Sequence, residues 1–225
     1  MFLSLSRLSE LMRYLRRRAL AAAVVLVTVL ASLIALPSLP ERVATHWNAA
    51  GRPDDTMPRL LGAFVLPAIT AGVVALLYVA PRFDPRHEEV ESFRGPFEWF
   101  VVVVAAFLAC VHGAVLAWNL GGSFPFNAAI ALPLAGLFLA LGELLARAEP
   151  NWTVGIRTRW TLSNETVWRE THSRGAWAFG ALGALTLVAV AVPGLLFPIV
   201  LGGALSVAAY TTLYSYVAYR RRSTA

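Results

Sequence analysis

Apolar residues along the chain gather in long stretches that carry almost no charge, broken by short polar segments rich in arginine. A transmembrane helix needs about 20 mostly apolar residues. Ala19–Leu36 is uncharged, as is Leu60–Ala80, where Pro67 is tolerable because neighbouring groups in a bundle satisfy the freed carbonyl. Trp99–Leu120 follows, holding Cys110 and His112, and then Asn127–Ala146, with Glu143 as its one charge. Ala176–Val192 and Phe197–Ala218 close the set, separated by a tight turn at Pro193 and Gly194. The pattern predicts an all-α polytopic membrane protein, a bundle of six transmembrane helices.

Composition points the same way. Of the 225 residues, 58% are hydrophobic and only 14% charged, against roughly 25% charged in a soluble domain. A soluble fold of this size could not bury so much apolar surface, so the bilayer is the solvent for much of the chain. One cysteine, Cys110, excludes an intramolecular disulfide and any multi-cysteine metal or cluster site. All 19 basic residues are arginine, which reads as codon bias toward a GC-rich genome. Their positions carry topology. With the N-terminus in the cytoplasm, 16 arginines fall on the inside and only Arg42, Arg52 and Arg59 on the outside, as the positive-inside rule requires. Both termini are then cytoplasmic, in a multi-pass protein of the cell membrane.

The chain divides accordingly. Residues 1–18 form a basic cytoplasmic segment, in which Ser4–Arg18 could lie as an amphipathic helix on anionic lipid. It resembles the charged start of a signal peptide, but the apolar stretch after it is too long and lacks a small-residue cleavage site, so an uncleaved first helix is expected. Residues 19–80 are the first helix pair with an extracytoplasmic loop at 37–59, and 81–146 the second pair. Residues 147–175 form a cytoplasmic loop, and 176–225 the third pair with a basic tail.

The two long loops hold the candidate chemistry. In the outer one, Pro40 and Pro53 restrict the backbone, and a turn at Ala49–Arg52 using Gly51 would bring His46 and Asn48 toward Asp54 and Asp55. That set could bind a divalent metal or form a hydrogen-bonded recognition surface. Alternatively Asp54 and Asp55 pair with Arg52 and Arg59 while His46 caps the loop. In the inner loop Ser163 looks like a helix cap with Glu165 in the first turn, setting Trp168 and His172 four apart on one face. Asn151–Thr161 is expected to fold against the inner mouth of the bundle, with the loop's tryptophans at the headgroup level. Lipid headgroups suit its arginines better than direct nucleic-acid contact does.

On these residues the sequence resembles the SdpI family of bacterial integral membrane proteins. Leu39-Pro40, Thr45-His46-Trp47-Asn48, Gly51 and Pro53-Asp54 look like the domain of unknown function that heads many members. Asn151, Gly155-Ile156-Arg157-Thr158, Thr161-Leu162, Trp168 and His172 look like the family's second signature. Ala44 stands where relatives often have proline, which loosens the turn assignment. With the six-span layout the resemblance covers nearly the whole chain. It implies protection against a secreted membrane-active peptide toxin outside, and capture of a small repressor protein at the membrane inside. On that reading His46, Trp47, Asn48, Gly51 and Asp54 recognise a partner or shape their loop, and the second-signature residues form an ordered element against the bundle. A different class of reading is a small transporter or lipid-interacting protein with no toxin partner.

Polar groups inside spans are functional candidates by default. Glu143 precedes Arg147 by four residues, the favourable order for an ion pair. His112 is expected to bond a neighbouring helix, and no second titratable group at its depth marks a proton relay. Gly180-x-x-x-Ala184 and Gly202-x-x-x-Ser206 have the spacing of close helix contacts. The chain shows no Gly-x-Ser-x-Gly elbow, His-Glu-x-x-His or phosphate-cradling lysine loop. No enzyme, cofactor or metal is expected.

Overall fold

The computed structural model describes residues 5–223. Six helices are long and apolar enough to cross a membrane, the spans covering Met12–Ser38, Arg59–Phe83, Arg94–Asn119, Phe126–Leu145, Glu165–Ala191 and Pro193–Ser223. Each predicted stretch lies on one of them. The first helix, α1, runs Leu5–Ala35 without a break, so the basic segment is not a separate surface helix; its Ser4 lies outside the described residues. A 3-10 turn at Leu36–Ser38 ends it where Pro37 removes an N–H. Two strands follow, β1 (Arg42–Trp47) and β2 (Pro53–Pro58), an antiparallel hairpin in what the sequence offered as a loop. Then come α2 (Arg59–Val79), the short α3 (His87–Ser92), α4 (Arg94–Asn119) and α5 (Phe126–Leu145). The inner loop contributes α6 (Arg159–Ser163), and α7 (Glu165–Thr186) follows after the single extended residue Asn164. The four-residue α8 (Val188–Ala191), a turn at Pro193–Leu195 and α9 (Leu196–Ser223) complete the bundle.

Packing follows the rule for lipid-immersed helices, where small residues let backbones approach. The main lengthwise contacts are α5 with α7, α1 with α4, and α7 with α9. A Cβ on Gly142 would stand 2.8 Å from the Ala176 carbonyl oxygen, and one on Gly183 would be 3.0 Å from that of Ala135, so these glycines seat α7 on α5. On α9 the close contact is Gly203, where a Cβ would fall 2.3 Å from Leu182 Cδ1. The predicted pair is thereby corrected. Added methyls on Gly180 and Gly202 meet nothing within 4 Å, because those residues turn away from the α7–α9 seam.

Large apolar side chains such as Leu26, Val27, Leu33 and Ile34 of α1 are exposed, as helices in hydrocarbon require. Some polar residues within the spans join helices, whereas Thr171 Oγ1 of α7 is buried with no hydrogen-bond partner. Ser32 Oγ of α1 donates to the Ala63 carbonyl of α2 at 2.6 Å, and His112 Nε2 of α4 lies 2.9 Å from the same hydroxyl. Since the serine proton is committed to the carbonyl, Nε2 is the donor, and three helices meet at one junction. Glu143 pairs with Arg147, and Cys110 is exposed.

Six alternating spans put the hairpin on one face and the termini with the inner loop on the other. Single cysteines in a Cys110→Ala background test the predicted sidedness. Asp55→Cys should react with an impermeant maleimide in intact cells, and Ser163→Cys only after permeabilisation. Labelling of both from one side would contradict the topology.

Candidate functional site

The hairpin face is built around backbone that has left the helical regime. β1 and β2 pair from Arg42 opposite Pro58 to Trp47 opposite Pro53, with a register irregularity around His46. The turn is held by Asn48. Its Oδ1 accepts from the N–H groups of Ala50 (2.9 Å) and Arg52 (3.1 Å), while its own N–H donates to the Arg52 carbonyl at 2.9 Å. Gly51 sits at φ 74°, and a Cβ there would come 3.0 Å from Asn127 Cγ. The predicted turn is therefore present, and glycine is needed twice over, for its dihedral and for the close approach.

Two carboxamides outside the hairpin fix it to the bundle. Asn119, the last residue of α4, accepts from the Ala44 N–H at 2.7 Å and donates to the Ala44 carbonyl at 3.0 Å, pairing with one residue of β1 as a neighbouring strand would. Asn127, at the start of α5, donates to the carbonyls of Ala49 (3.1 Å) and Pro193 (3.4 Å). Beneath, Val43 is fully buried, and Trp47 stacks on Phe126 with ring centroids 3.9 Å apart and meets Trp118 edge-on at 6.2 Å. His46 points outward, its side chain 67% exposed, with Nδ1 2.6 Å from Asp54 Oδ1. This pairing replaces the alternative in which the two aspartates bind arginine: Asp55 accepts from the Thr56 N–H, and Arg59 donates to the Pro40 carbonyl. Among the described residues no group of three or more His, Cys, Asp and Glu could hold a metal ion. His46, Asn48 and the half-buried Trp47 line a groove of about 290 Å³ that continues between α5 and α9, past Leu134, Leu196 and Val200.

On the opposite face the second signature folds into one locked unit. Asn151 is fully buried, and its carboxamide is saturated. Nδ2 donates to the carbonyls of Glu149 and Val154, and Oδ1 accepts from the N–H groups of Thr153 and Val154. Gly155, at φ 123°, brings the chain against α7, where a Cβ would be 2.3 Å from His172 Nε2. The next N–H, of Ile156, donates to that Nε2 at 3.0 Å. Nε2 is thus an acceptor, and Nδ1 carries the proton given to the Trp168 carbonyl at 2.9 Å. Trp168 and His172 stack at 3.9 Å, and Trp168 Nε1 donates to the Ala148 carbonyl at 2.7 Å. Trp168 is fully buried, which corrects its expected place among headgroup-level tryptophans; Trp152 is exposed, and Trp160 packs at a tilt on Tyr216.

Downstream, Thr158 and Thr161 form a reciprocal capping box at the start of α6, and Thr158 Oγ1 donates to Ser215 Oγ of α9 at 3.0 Å. Ile156 fits over Gly175 of α7, and Arg157 donates to the Trp152 carbonyl. The cap of α7 is Asn164, whose Oδ1 accepts from the Val167 N–H at 3.0 Å. Ser163, the expected cap, is instead the last residue of α6. All nine second-signature residues are brought together by this unit, Leu162 packing against the cluster that contains Trp168. The hairpin residues gather on the other face, and His112 and Glu143 stand apart from both.

Four participants were missed by sequence reasoning. Asn119 and Asn127 could have been suspected as carboxamides at the ends of spans facing a long loop. Asp84 lies in a short connection: its Oδ1 accepts from the Arg86 N–H, and its Oδ2 from the Trp152 N–H and Thr153 Oγ1 at 2.6 Å. Burial acts to raise its carboxyl pKa, and these hydrogen bonds outweigh burial and hold it below the ordinary value. Glu98, 1% exposed and paired with Arg18 at 2.8 Å, falls one residue before the predicted third span.

Architecture and site define the class, a polytopic all-α membrane protein whose two faces each carry an ordered element built on non-helical backbone. Residues 147–215 match the SdpI/YfhL protein family, and residues 23–71 match DUF1648, a domain of unknown function. Immunity protein SdpI of Bacillus subtilis (strain 168) is 24% identical over 156 residues, covering 69% of this chain and 72% of its own. No solved structure matches. The family region contains the whole of the locked unit, and the DUF1648 region contains the hairpin.

Two measurements test the locked unit. Gly155→Ala should lower stability by about 1–3 kcal/mol, the usual cost of overpacking, with further loss from the strained dihedral; an unchanged melting temperature in detergent would contradict the described contact. Asp84 has a depressed folded pKa, so its stabilisation is present above the unfolded carboxylate value of about 3.9 and is lost as pH falls through the folded value. The acid side of a stability profile should therefore be flatter in Asp84→Asn than in the parent protein.

Proposed function

We propose that the protein is an immunity factor of the cell membrane, oriented with both termini in the cytoplasm, that meets a secreted membrane-active peptide toxin at the hairpin face. The observation that carries this reading is the combination on the hairpin of an exposed His46–Asp54 pair and an apolar groove running from Trp47 down between α5 and α9. A peptide that partitions into the outer leaflet presents the same combination of polar headgroup-level groups and apolar side chains. The similarity to Immunity protein SdpI supports the reading, and the arginine distribution supports the orientation. His46 and Asp54 then recognise the peptide's polar groups, Asn48 and Gly51 hold the turn, and Trp47 forms the groove wall. The locked unit on the cytoplasmic side is the element a small repressor protein would read, through its exposed Arg157 and Trp152.

The decisive test is survival. Expressed in Bacillus subtilis lacking its own Immunity protein SdpI, the parent protein should restore growth, and the His46→Ala, Asp54→Ala double variant should lose most of the protection while reaching the membrane at the parent level. Full protection by the double variant would remove those residues from recognition, and no protection by the parent would overturn the immunity reading for that toxin.

A further inference from the structure

A cavity of about 320 Å³ opens on the face that carries the termini, between the start of α1's span, the end of α2 and the start of α4. Its charged lining is three arginines, Arg18, Arg82 and Arg94, against two carboxylates, Glu91 and Glu98. Its arginines thus outnumber its carboxylates by one.

Glu91 is engaged with Arg94, and Glu98 is engaged through Oε1 alone, its buried Oε2 having no hydrogen-bond partner. Glu98, 1% exposed, takes Arg18 Nε at 2.8 Å and stands 3.6 Å from Arg94 Nε through the same oxygen. Glu91 accepts from Arg94 Nη1 at 2.7 Å. Glu98 therefore works from the inside as a brace, fixing two guanidinium groups by their Nε atoms. Among the described residues, the Arg18 terminal nitrogens and the whole Arg82 guanidinium have no hydrogen-bond partner. Arg18 Cζ also lies over the Tyr78 ring, 5.0 Å from its centroid. Planar, pre-positioned guanidinium groups with free N–H donors are the usual means of binding phosphate oxygens, and basic pockets between helices at a membrane face bind anionic headgroups.

We infer that this pocket is a binding site for a singly charged phosphate ester, with Arg82 and the free end of Arg18 as its ligands and Glu98 as the residue that positions Arg18. Its position at the ends of three spans makes the phosphodiester of an anionic phospholipid the first source, and a soluble phosphate ester the second. The site is independent of what the hairpin face meets.

Native mass spectrometry of the full-length protein in detergent tests it, titrating dioleoyl phosphatidylglycerol against dioleoyl phosphatidylcholine. The expected result is one saturable phosphatidylglycerol adduct, formed at lower lipid concentration than the phosphatidylcholine adduct. Arg82→Gln, a change at an exposed residue without partners, should weaken it about tenfold, the size of one charge-assisted hydrogen bond. Arg147→Gln, on the same face but outside the pocket, should leave it unchanged. Displacement of the lipid by the singly charged diester glycerophosphoglycerol at comparable concentration would assign the site to a soluble ester; lack of displacement would assign it to the lipid. Equal adducts with both lipids, or equal weakening by both arginine substitutions, would overturn the proposal.

Discussion

Irregular backbone at the edge of a bilayer has to be supplied with hydrogen-bond partners by the protein itself, because hydrocarbon offers none and unpaired groups are costly. Both non-helical elements of this chain are solutions to that constraint. Ala44 lies in a strand whose only strand neighbour is β2, and Asn119 answers both of its backbone groups. The turn between the strands is answered by Asn48, and its tip by Asn127. On the other face Asn151 closes four bonds, Asp84 takes an N–H from each of two segments, and His172 accepts the Ile156 N–H. Carboxamides, one carboxylate and one imidazole thus do for the loops what i→i−4 bonding does for the spans. The residues of both signatures are mostly those with two-sided or multiple hydrogen-bonding capacity, together with the glycines that let the backbone reach them.

The division between what could and could not be read from the sequence follows from the range of the interactions. Spans were legible because the bilayer acts on every residue of a helix, so an uncharged stretch is evidence by itself. Their ends were less so: the helix expected from Glu165 and the fifth span, predicted from Ala176, are one continuous α7, because the charges of Glu165, Arg169, Glu170 and Arg174 hide a continuity held by the buried Trp168–His172 stack and a cap at Asn164. The turn at Gly51 and the ion pair of Glu143 with Arg147 were legible as local events. The hairpin was not, since β1 and β2 are six residues each and rest on Asn119 and Phe126, which are far away in sequence. The same distance hid Asp84 and Glu98, whose partners lie 68 and 80 residues away. The small-residue motifs failed for a simpler reason: spacing names a stripe, and only the rotation of the helix decides that Gly203, not Gly202, faces its neighbour.

The Asn127 carboxamide ties the tip of the hairpin to Pro193, the turn from which α9 descends and toward which α7 and α8 climb. The same α7 holds His172 and Trp168 at its other end. An occupant that pushes Ala49 aside must therefore either rupture that one carboxamide's attachments or drag the Pro193 corner with it. In the second event the final helical pair would be tilted like a beam moved by its upper joint, and the strain would arrive, a full bilayer thickness away, at the seat of the imidazole.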